Sequence, residues 1–237
     1  MENPPLRVLF EDKHLLAVNK PAGIVVEDGF HKNTLELQAL AYIKAKDQWP
    51  WKCFIGVPHR IDRPVTGVVL FSKKRNVLKL LVEQFKHREL KKIYYAIVEK
   101  RPAEAEAELV HWHRKNDELR KAELFDEEKE GTNRARLKYK VVGESPSGVL
   151  LEVQLITGKF HQIRAQLAKM GCPIVGDEKY GSTQAYKPTT IALHARRLEV
   201  RHPVTGEQLT ITAPLPEDEV WRSFAALGAA GDSAGTN

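Results

Sequence analysis

Four ionisable side chains lie close together in one short stretch of the chain, between two prolines. His59, Arg60, Asp62 and Arg63 fall within five positions. An aspartate near an arginine stays ionised at neutral pH, because the opposite charge lowers a carboxyl pKa that starts near ~3.9. Such a carboxylate can act as a nucleophile, a base or an electrostatic stabiliser, and the residues alone do not choose among these roles. The alternative interpretation is a solvated turn with one local Asp–Arg contact.

The residues around this charged group predict a rigid support for it. Pro58 and Pro64 each fix a backbone φ angle, and Gly67 permits a conformation closed to other residues. The apolar, β-branched run over residues 68–72 predicts a buried strand. We therefore expect a loop of defined shape that holds the charges at the mouth of a rigid element.

A second predicted strand and a helix carry further candidate residues. Along the run from Lys91 to Val98, the alternation of side chains predicts that Tyr94 and Tyr95 face opposite ways. A later apolar stripe at helical spacing consists of Phe160, Ile163, Leu167 and Met170. Because His161 and Arg164 are three residues apart, we expect them to share a different face of that helix.

The composition indicates a globular chain with a mild excess of positive charge. Its 237 residues are 42% hydrophobic and 29% charged, enough for one large domain or two small ones. A net charge of +6 and a pI near 9.2 are compatible with a polyanionic partner. Without an internal repeat or a low-complexity linker, the sequence favours a single mixed α/β domain over residues 1–227, followed by a flexible tail over 228–237.

Several function classes lack their characteristic motifs in this sequence. There is no phosphate-binding G-x-x-x-x-G-K-[ST] loop, no H-E-x-x-H motif and no G-x-G-x-x-G motif. Cys53 and Cys172 are far apart, which argues against a disulfide framework or a four-ligand zinc site. His111 and His113 lack a third ligand nearby, so we expect exposed histidines and no metal. No apolar stretch approaches the ~20 residues that span a membrane, and the expected location is the cytoplasm.

Three motifs follow one another along the chain. They are His59-Arg60-Ile61-Asp62-Arg63-Pro64-Val65-Thr66-Gly67, Lys92-Ile93-Tyr94-Tyr95-Ala96-Ile97-Val98 and Thr157-Gly158-Lys159-Phe160-His161-Gln162-Ile163-Arg164. In order and spacing they closely resemble the motifs of the RluA-type pseudouridine synthases. Supporting matches, including Val18-Asn19-Lys20-Pro21-Ala22-Gly23 and Leu193-His194-Ala195, extend the resemblance over residues 6–214. The joint occurrence of these motifs is highly specific.

The chain departs from the common pattern of that family at three points. Val65-Thr66 stands where Thr-Ser is usual, Lys159-Phe160 where Arg-Thr or Arg-Ser is usual, and Ala165-Gln166 where Val-His is common. These differences spare the carboxylate and alter the expected substrate contacts. Many relatives carry an N-terminal S4 RNA-binding domain, and we expect none here because no room precedes Leu6.

The resemblance implies isomerisation of uridine in RNA to pseudouridine, without a metal or cofactor. The fold that it implies is a mixed, mostly antiparallel central sheet flanked by helices and loops. Asp62 would be the essential carboxylate, Tyr94 would pack against the uracil, and Arg164 would pair with Asp62. Arg60 is a candidate to fill the gap left by the flipped nucleotide or to bind a phosphate. The expected loop support comes from His59, Arg63 and Gly67.

The expected partner is ribosomal or transfer RNA whose target uridine leaves the helical stack. We expect the protein to be a monomer that does not associate with a membrane. A candidate RNA track consists of Lys73, Lys74, Arg75, Lys86, Arg88, Lys91 and Lys92. The alternative function is a non-catalytic RNA-binding or ribosome-assembly protein on the same fold. The joint presence of Asp62, Tyr94 and Arg164 favours the enzyme, since a pure binder does not need a carboxylate that faces a polyanion.

Overall fold

The structure is a computed structural model that describes residues 6–27, 29, 33–47 and 50–224. The chain divides into two units: residues 1–91 with 195–214 form the first, and residues 92–194 with 215–237 form the second. The single domain expected over residues 1–227 therefore stays a prediction. The flexible tail expected over 228–237 lies outside the described residues.

Short strands and helices make up both units. The strands are β1 (Val8–Glu11), β2 (Leu15–Lys20), β3 (Thr66–Ser72), β4 (Lys91–Val98), β5 (Glu106–Asn116), β6 (Lys121–Phe125), β7 (Asn133–Ser145), β8 (Gly148–Leu155), β9 (Leu193–Arg201) and β10 (Gln208–Thr212). The helices are α1 (Leu35–Lys46), α2 (Arg75–His87), α3 (Gln162–Lys169) and α4 (Glu219–Arg222). Two 3₁₀ turns cover Pro50–Lys52 and Glu178–Tyr180.

An antiparallel sheet forms the core of the first unit. β2 pairs with β1 and β3, and β9, which belongs to this unit from Ala195 onward, pairs with β10. In the hairpin of β1 and β2, the Oδ1 atom of Asp12 accepts hydrogen bonds from the backbone N–H groups of His14 and Leu15, both at 2.7 Å. This side chain closes the polar turn between the two strands.

The helix α2 packs one apolar side into the core of the first unit. Val77 and Leu81 are 1% and 0% exposed and join a cluster that contains Leu15 and Val68. Val82, next to Leu81 in the chain, lies off this buried side and is 40% exposed. The buried side is centred on Val77 and Leu81, because residues four apart lie above one another on a helix.

Antiparallel strands also organise the second unit, where they follow the order β4, β8, β7, β5, β6. β7 and β8 form a hairpin in which Ser145 pairs with Gly148, so only residues 146–147 form its loop. The antiparallel pairs in both units confirm the predicted mixed α/β class with a mostly antiparallel sheet.

Candidate active site

Two apolar side chains anchor the charged loop from inside the first unit. Ile61 and Val65 are 8% and 2% exposed, whereas Asp62 between them is half-buried. The backbone N–H of Val65 donates to the carbonyl oxygen of Asp62 at 3.1 Å, which makes a turn at this point. The loop is therefore fixed by the core, and the carboxylate of Asp62 is only partly covered.

A buried lysine lies under this loop. Lys20 is 0% exposed, and its Nζ donates to the carbonyl oxygens of Pro21 and Ile24, each at 2.8 Å, and of Arg63 at 3.1 Å. A lysine ammonium has three N–H donors and no acceptor, so these three carbonyls match the charged form. Lys20 thus ties the end of β2 to the chain beside Asp62.

The charge of Lys20 is coupled to the charge of Asp62. Burial lowers the pKa of Lys20 to about 7, the negative charge of Asp62 opposes that shift, and the positive charge of Arg63 adds to it. A full ammonium at this position therefore depends on the ionised carboxylate beside it. In the sequence, Lys20 stands out only as part of a supporting motif. A lysine at the end of a strand is usually exposed, so its burial was not expected.

Arg63 and Gly23 link two turns of the first unit in both directions. The Nε of Arg63 donates to the carbonyl oxygen of Gly23 at 2.9 Å, and the N–H of Gly23 donates to the carbonyl oxygen of Arg63, also at 2.9 Å. Gly23 has a φ of +86°, a backbone conformation that residues other than glycine rarely adopt. These bonds hold the backbone directly after Asp62.

His59 contacts the elements that follow the loop. Its Nε2 accepts a hydrogen bond from the N–H of Leu70 at 2.9 Å, so this ring nitrogen carries no hydrogen. The imidazole stacks on Phe85, with ring centroids 4.6 Å apart and planes 15° apart. His59 therefore connects the loop to both β3 and α2.

Gly67 occupies a position where a side chain does not fit. Its φ is +113°, and a Cβ atom built there would lie 2.2 Å from the carbonyl oxygen of Ala195. In the antiparallel pair of β2 and β3, Gly67 lies opposite Lys20. The close approach of β3 to its neighbours at the end nearest Asp62 thus depends on this glycine.

Arg60 lies at the surface of the first unit. Its side chain is 67% exposed, and its Nη1 lies 3.6 Å from an oxygen of Glu27, itself 39% exposed. Exposed ion pairs of this kind contribute little to stability. The guanidinium is accordingly accessible to a ligand.

The two tyrosines of β4 face opposite sides of the second unit's sheet, as the alternation predicted. Tyr94 is 8% exposed and lies opposite Val153 of β8, and Tyr95 is 1% exposed and lies opposite Glu152. Both faces of β4 are therefore covered. Burial places Tyr94 among the rigid aromatic residues of this unit.

Arg164 forms a buried ion pair on α3. Its Nε donates to Oδ2 of Asp177 at 2.7 Å and its Nη2 donates to Oδ1 at 2.8 Å, in a side-on arrangement. The two side chains are 6% and 1% exposed. Asp177 therefore binds the edge of the guanidinium formed by Nε and Nη2, and the Nη1 amino group takes no part in these two hydrogen bonds. The sequence analysis did not identify Asp177 as the partner of Arg164.

Tyr180 supports the same arginine from a second side. Its ring centroid lies 5.1 Å from the guanidinium carbon of Arg164, a cation–π contact. The hydroxyl of Tyr180 accepts a hydrogen bond from the N–H of Ala122 at 2.7 Å and lies 3.0 Å from Nδ1 of His161. Arg164 is thus held between a carboxylate and an aromatic ring.

His161 precedes α3 in a strained conformation and is not part of the helix. It has a φ of +51°, and its ring stacks on Phe160 at 3.7 Å between centroids. The expectation that His161 and Arg164 share one helical face is therefore wrong. Burial, followed by the charge of Arg164, lowers the pKa of His161 to about 3. A neutral ring can accept the hydrogen bond of the Tyr180 hydroxyl.

The predicted residues fall into two groups. His59, Arg60, Asp62, Arg63 and Gly67 lie together in the first unit, and Tyr94 and Arg164 lie in the second. Within its own unit, Arg164 pairs with Asp177. The predicted pair of Arg164 with Asp62 stays a prediction.

The histidines of β5 are engaged in hydrogen bonds. His113 is 5% exposed and its Nε2 lies 2.8 Å from the carbonyl oxygen of Phe160, and Nδ1 of His111 lies 2.9 Å from the amide of Gln166. The expectation of exposed histidines is wrong for His113, because its strand is covered on that face. Within the described ranges, no three His, Cys, Asp or Glu residues are grouped as metal ligands. No helix among these residues has the length and apolarity needed to cross a membrane.

Comparison with known sequences gives consistent matches. The family described as RNA pseudouridylate synthase matches residues 14–169. Ribosomal large subunit pseudouridine synthase C of Haemophilus ducreyi is 32% identical over 215 residues, which are 88% of this chain and 65% of that protein. An RNA pseudouridine synthase of Synechocystis is 34% identical over 221 residues, 91% of this chain and 67% of that protein. The chain spans about 65% of the length of several synthase C relatives.

Comparison with solved structures supports the fold. The human protein RNA pseudouridylate synthase domain containing 4 superimposes with a TM-score of 0.74 at 24% identity, covering 94% of this chain and 92% of that chain. Human RNA pseudouridylate synthase domain containing 1 gives a TM-score of 0.72 at 22% identity, covering 91% and 87%. Together with the sequence matches, the motifs establish that this chain belongs to the RNA pseudouridylate synthase family and confirm its resemblance to the RluA-type synthases.

Proposed function

We propose that this chain is an RNA pseudouridine synthase that isomerises uridine in RNA, with Asp62 as its essential carboxylate. The observation that carries the proposal is the half-buried carboxylate of Asp62 on a loop fixed by Lys20, His59 and Arg63. Preorganised groups catalyse better than mobile ones because their ordering is complete before the reaction begins. Family membership supplies the reaction class.

The reaction needs a carboxylate near the sugar and a pocket for a flipped base. The bond between N1 of uracil and C1′ of ribose breaks, the base rotates, and a bond from C5 to C1′ forms. The proton on C5 leaves, and N1 ends with a proton, so atoms and electrons balance without an oxidant or reductant. Unstacking the uridine costs a few kcal/mol, which contacts to the RNA must offset.

The proposed roles of the other residues follow the family resemblance. Asp62 attacks C1′ or takes the first proton, and both routes begin from the ionised carboxylate. Tyr94 packs against the uracil and assists removal of the C5 proton, and Arg164 holds the carboxylate of Asp62. Burial of Tyr94 and the rigid hold on Arg164 by Asp177 support these roles. Arg60, which is accessible, binds the RNA.

We propose ribosomal RNA as the first substrate to examine, acted on by a monomer in the cytoplasm. Relatives named as synthases C and D are described as acting on the large ribosomal subunit. The net charge of +6 is compatible with an RNA partner. Transfer RNA belongs in the same screen, because the substrate of a relative does not fix the substrate of this chain.

Mass-spectrometric pseudouridine mapping of RNA tests this function. Cells that lack the protein are complemented with the wild type or with Asp62→Asn, which keeps the size of the side chain and removes its charge. The proposal predicts a missing pseudouridine that only the wild type restores. If both forms restore it equally, Asp62 is not the catalytic carboxylate; if no site changes, the alternative of a non-catalytic RNA-binding or ribosome-assembly protein gains support.

A further inference from the structure

We propose that a lysine-lined cleft in the first unit binds a second segment of single-stranded RNA, at a distance from Asp62. This inference rests on the proposed function and names a contact that the reaction itself does not require. The cleft has a volume of about 390 Å³. Its charged lining residues are Glu11, Lys46, Asp47, Lys52, Lys73 and Lys74.

The lining carries a net positive charge. Four lysines face two carboxylates, which leaves two positive charges. The carboxylate of Glu11 lies 2.8 Å from Nζ of Lys46 and 2.9 Å from Nζ of Lys73. Burial alone would raise the pKa of Glu11, but hydrogen bonds from Lys46, Lys73 and Tyr42 lower it to about 2, so it is ionised at neutral pH. Glu11 thus fixes two of the lysines in place.

The other two lysines of the cleft are Lys52 and Lys74, which with Asp47 contribute one of its two excess positive charges. Lys52 and Lys74 are both exposed. Lys74 occupies the N-cap position of α2 without a capping hydrogen bond from its side chain, and the first turn of the helix, which is described in full, contains no acidic residue. Cations at the positive end of a helix dipole are unfavourable unless an anion offsets them. This arrangement therefore suits a phosphate group.

An exposed aromatic side chain lies next to the lysines in sequence. Trp51 is 69% exposed and precedes Lys52 in the 3₁₀ turn. Phe54 lines the cleft, and the guanidinium of Arg75 lies 4.6 Å from its ring centroid. Positive charge combined with an exposed ring is the arrangement that binds single strands, since any base can stack on the ring while lysines bind the phosphates.

The cleft lies at the far end of β3 from Asp62. The loop of Asp62 precedes Thr66, the first residue of the strand, and Lys73 follows Ser72, the last. At ~3.3 Å per residue, this seven-residue strand is roughly 20 Å long. A nucleotide in the cleft is therefore several nucleotides away from a uridine at Asp62. The cleft would add affinity for RNA without contacting the reacting base.

Binding of a fluorescein-labelled oligouridylate of about 12 nucleotides tests this proposal. The test uses the full chain carrying Asp62→Asn, so that no reaction interferes. Adding Lys52→Gln with Lys74→Gln should weaken binding at least roughly tenfold at low salt and reduce the slope of log K against log salt by about 1.4, the value for two phosphate contacts. In the parent, an oligomer of about three nucleotides should bind more weakly than the longer one, because it cannot occupy both places at once.

Two further sets of variants separate the cleft from general charge. Trp51→Ala should weaken binding of the longer oligomer about fivefold or more, and Trp51→Phe should retain most of it. The matched control, Lys129→Gln with Lys138→Gln, removes the same charge from exposed positions of the second unit. Because all these side chains are exposed, thermal melting should not change.

Two results would contradict RNA binding by the cleft. One is equal affinity and equal salt slope for the Lys52→Gln, Lys74→Gln variant and its parent. The other is an equal loss of affinity in the Lys129→Gln, Lys138→Gln control. If the cleft binds a protein and not RNA, the cleft variant and its parent should bind the oligouridylate with equal affinity. Loss of the proposed catalytic function would appear separately, as absence of pseudouridine formation by the wild type. The oligouridylate measurement remains valid in that case, because it requires no reaction.

Discussion

Asp62 and Lys20 are the two residues on which the proposed chemistry depends most. Lys20 is fully buried and donates to three carbonyl oxygens, one of them in the loop of Asp62. The negative charge of Asp62 partly offsets the burial of that ammonium. The lysine therefore positions the loop and, when charged, favours the ionised carboxylate.

Lys20→Met should lower stability in a pH-dependent way. The change leaves three carbonyls without their donor, which costs roughly 1–3 kcal/mol or more. The pKa of Lys20 is about 7 in the folded chain against 10.5 ordinarily, so between these values the unfolded chain binds more protons. The unfolding free energy of the wild type should therefore rise with pH in this window relative to the variant. Urea denaturation from neutral to alkaline pH measures the difference, and a difference that stays constant with pH would contradict a lowered pKa of Lys20 in the folded chain.

Gly67→Ala should destabilise the first unit more than a change of φ alone explains. The added Cβ would meet the carbonyl oxygen of Ala195 at 2.2 Å, and a φ of +113° costs about 1–3 kcal/mol for a residue with a side chain. Gly171→Ala is the matched control, because Gly171 has a φ of +82° but nothing within 4 Å of the added Cβ. Thermal melting of the two variants should show the larger loss for Gly67→Ala. Equal losses would mean that β3 can move away from Ala195.

At the scale of elements, α3 is a short helix whose polar side chains are held from several sides. Arg164 pairs with Asp177 and lies over Tyr180, whose hydroxyl is 3.0 Å from His161. The residue before the helix has a left-handed backbone. These contacts restrict the rotamers of Arg164, as a residue that positions a carboxylate requires.

Arg164→Ala should lose stability because Asp177 is left as a buried charge. Breaking a buried pair costs roughly 3–5 kcal/mol. Arg114→Ala serves as the control, since its pair with Glu123 has side chains 46% and 31% exposed and should contribute less than about 1 kcal/mol. Chemical denaturation compares the two, and pseudouridine formation measures the catalytic effect. If Arg164→Ala changes neither the stability of the protein nor the rate of pseudouridine formation, Arg164 has no role in the active site.

The sequence predicts the strands and helices better than the contacts that hold the candidate site residues in place. Alternation along β4 correctly separates Tyr94 from Tyr95, and the apolar run after Gly67 is indeed the buried strand β3. Burial of Lys20 and the pairing of Arg164 with Asp177 could not be predicted, because both depend on the path of irregular loops, which carry no periodic pattern. The left-handed His161 was missed because the helical spacing of the stripe continues through it.

At the scale of the whole molecule, the chain returns to a unit it has left. Residues 195–214 rejoin the first unit after residues 92–194 have formed the second. Long-range returns of this kind leave no periodic signal in the sequence, so the division into these two units could not be predicted from it. Asp62 belongs to the first unit, and Tyr94 and Arg164 belong to the second.

Substrate choice also belongs to this scale. The chain matches about 65% of the length of its synthase C relatives, so its RNA target follows from its own surfaces and must be measured. The lysine-lined cleft is one such surface. A substrate with accessible single-stranded RNA around the target uridine should be modified faster than one in a continuous duplex, because unstacking is easier there.

Release of tritium from C5 of uridine tests the central claim most directly. Ribosomal RNA transcribed with C5-tritiated uridine is mixed with excess purified protein, so that one turnover is observed. The wild type should release tritium to water as pseudouridine forms, because the C5 proton must leave. Asp62→Asn should release none while its affinity for the RNA stays within about twofold. Release by Asp62→Asn at the wild-type rate would contradict the role of Asp62, and no release by the wild type would contradict the proposed activity on this RNA.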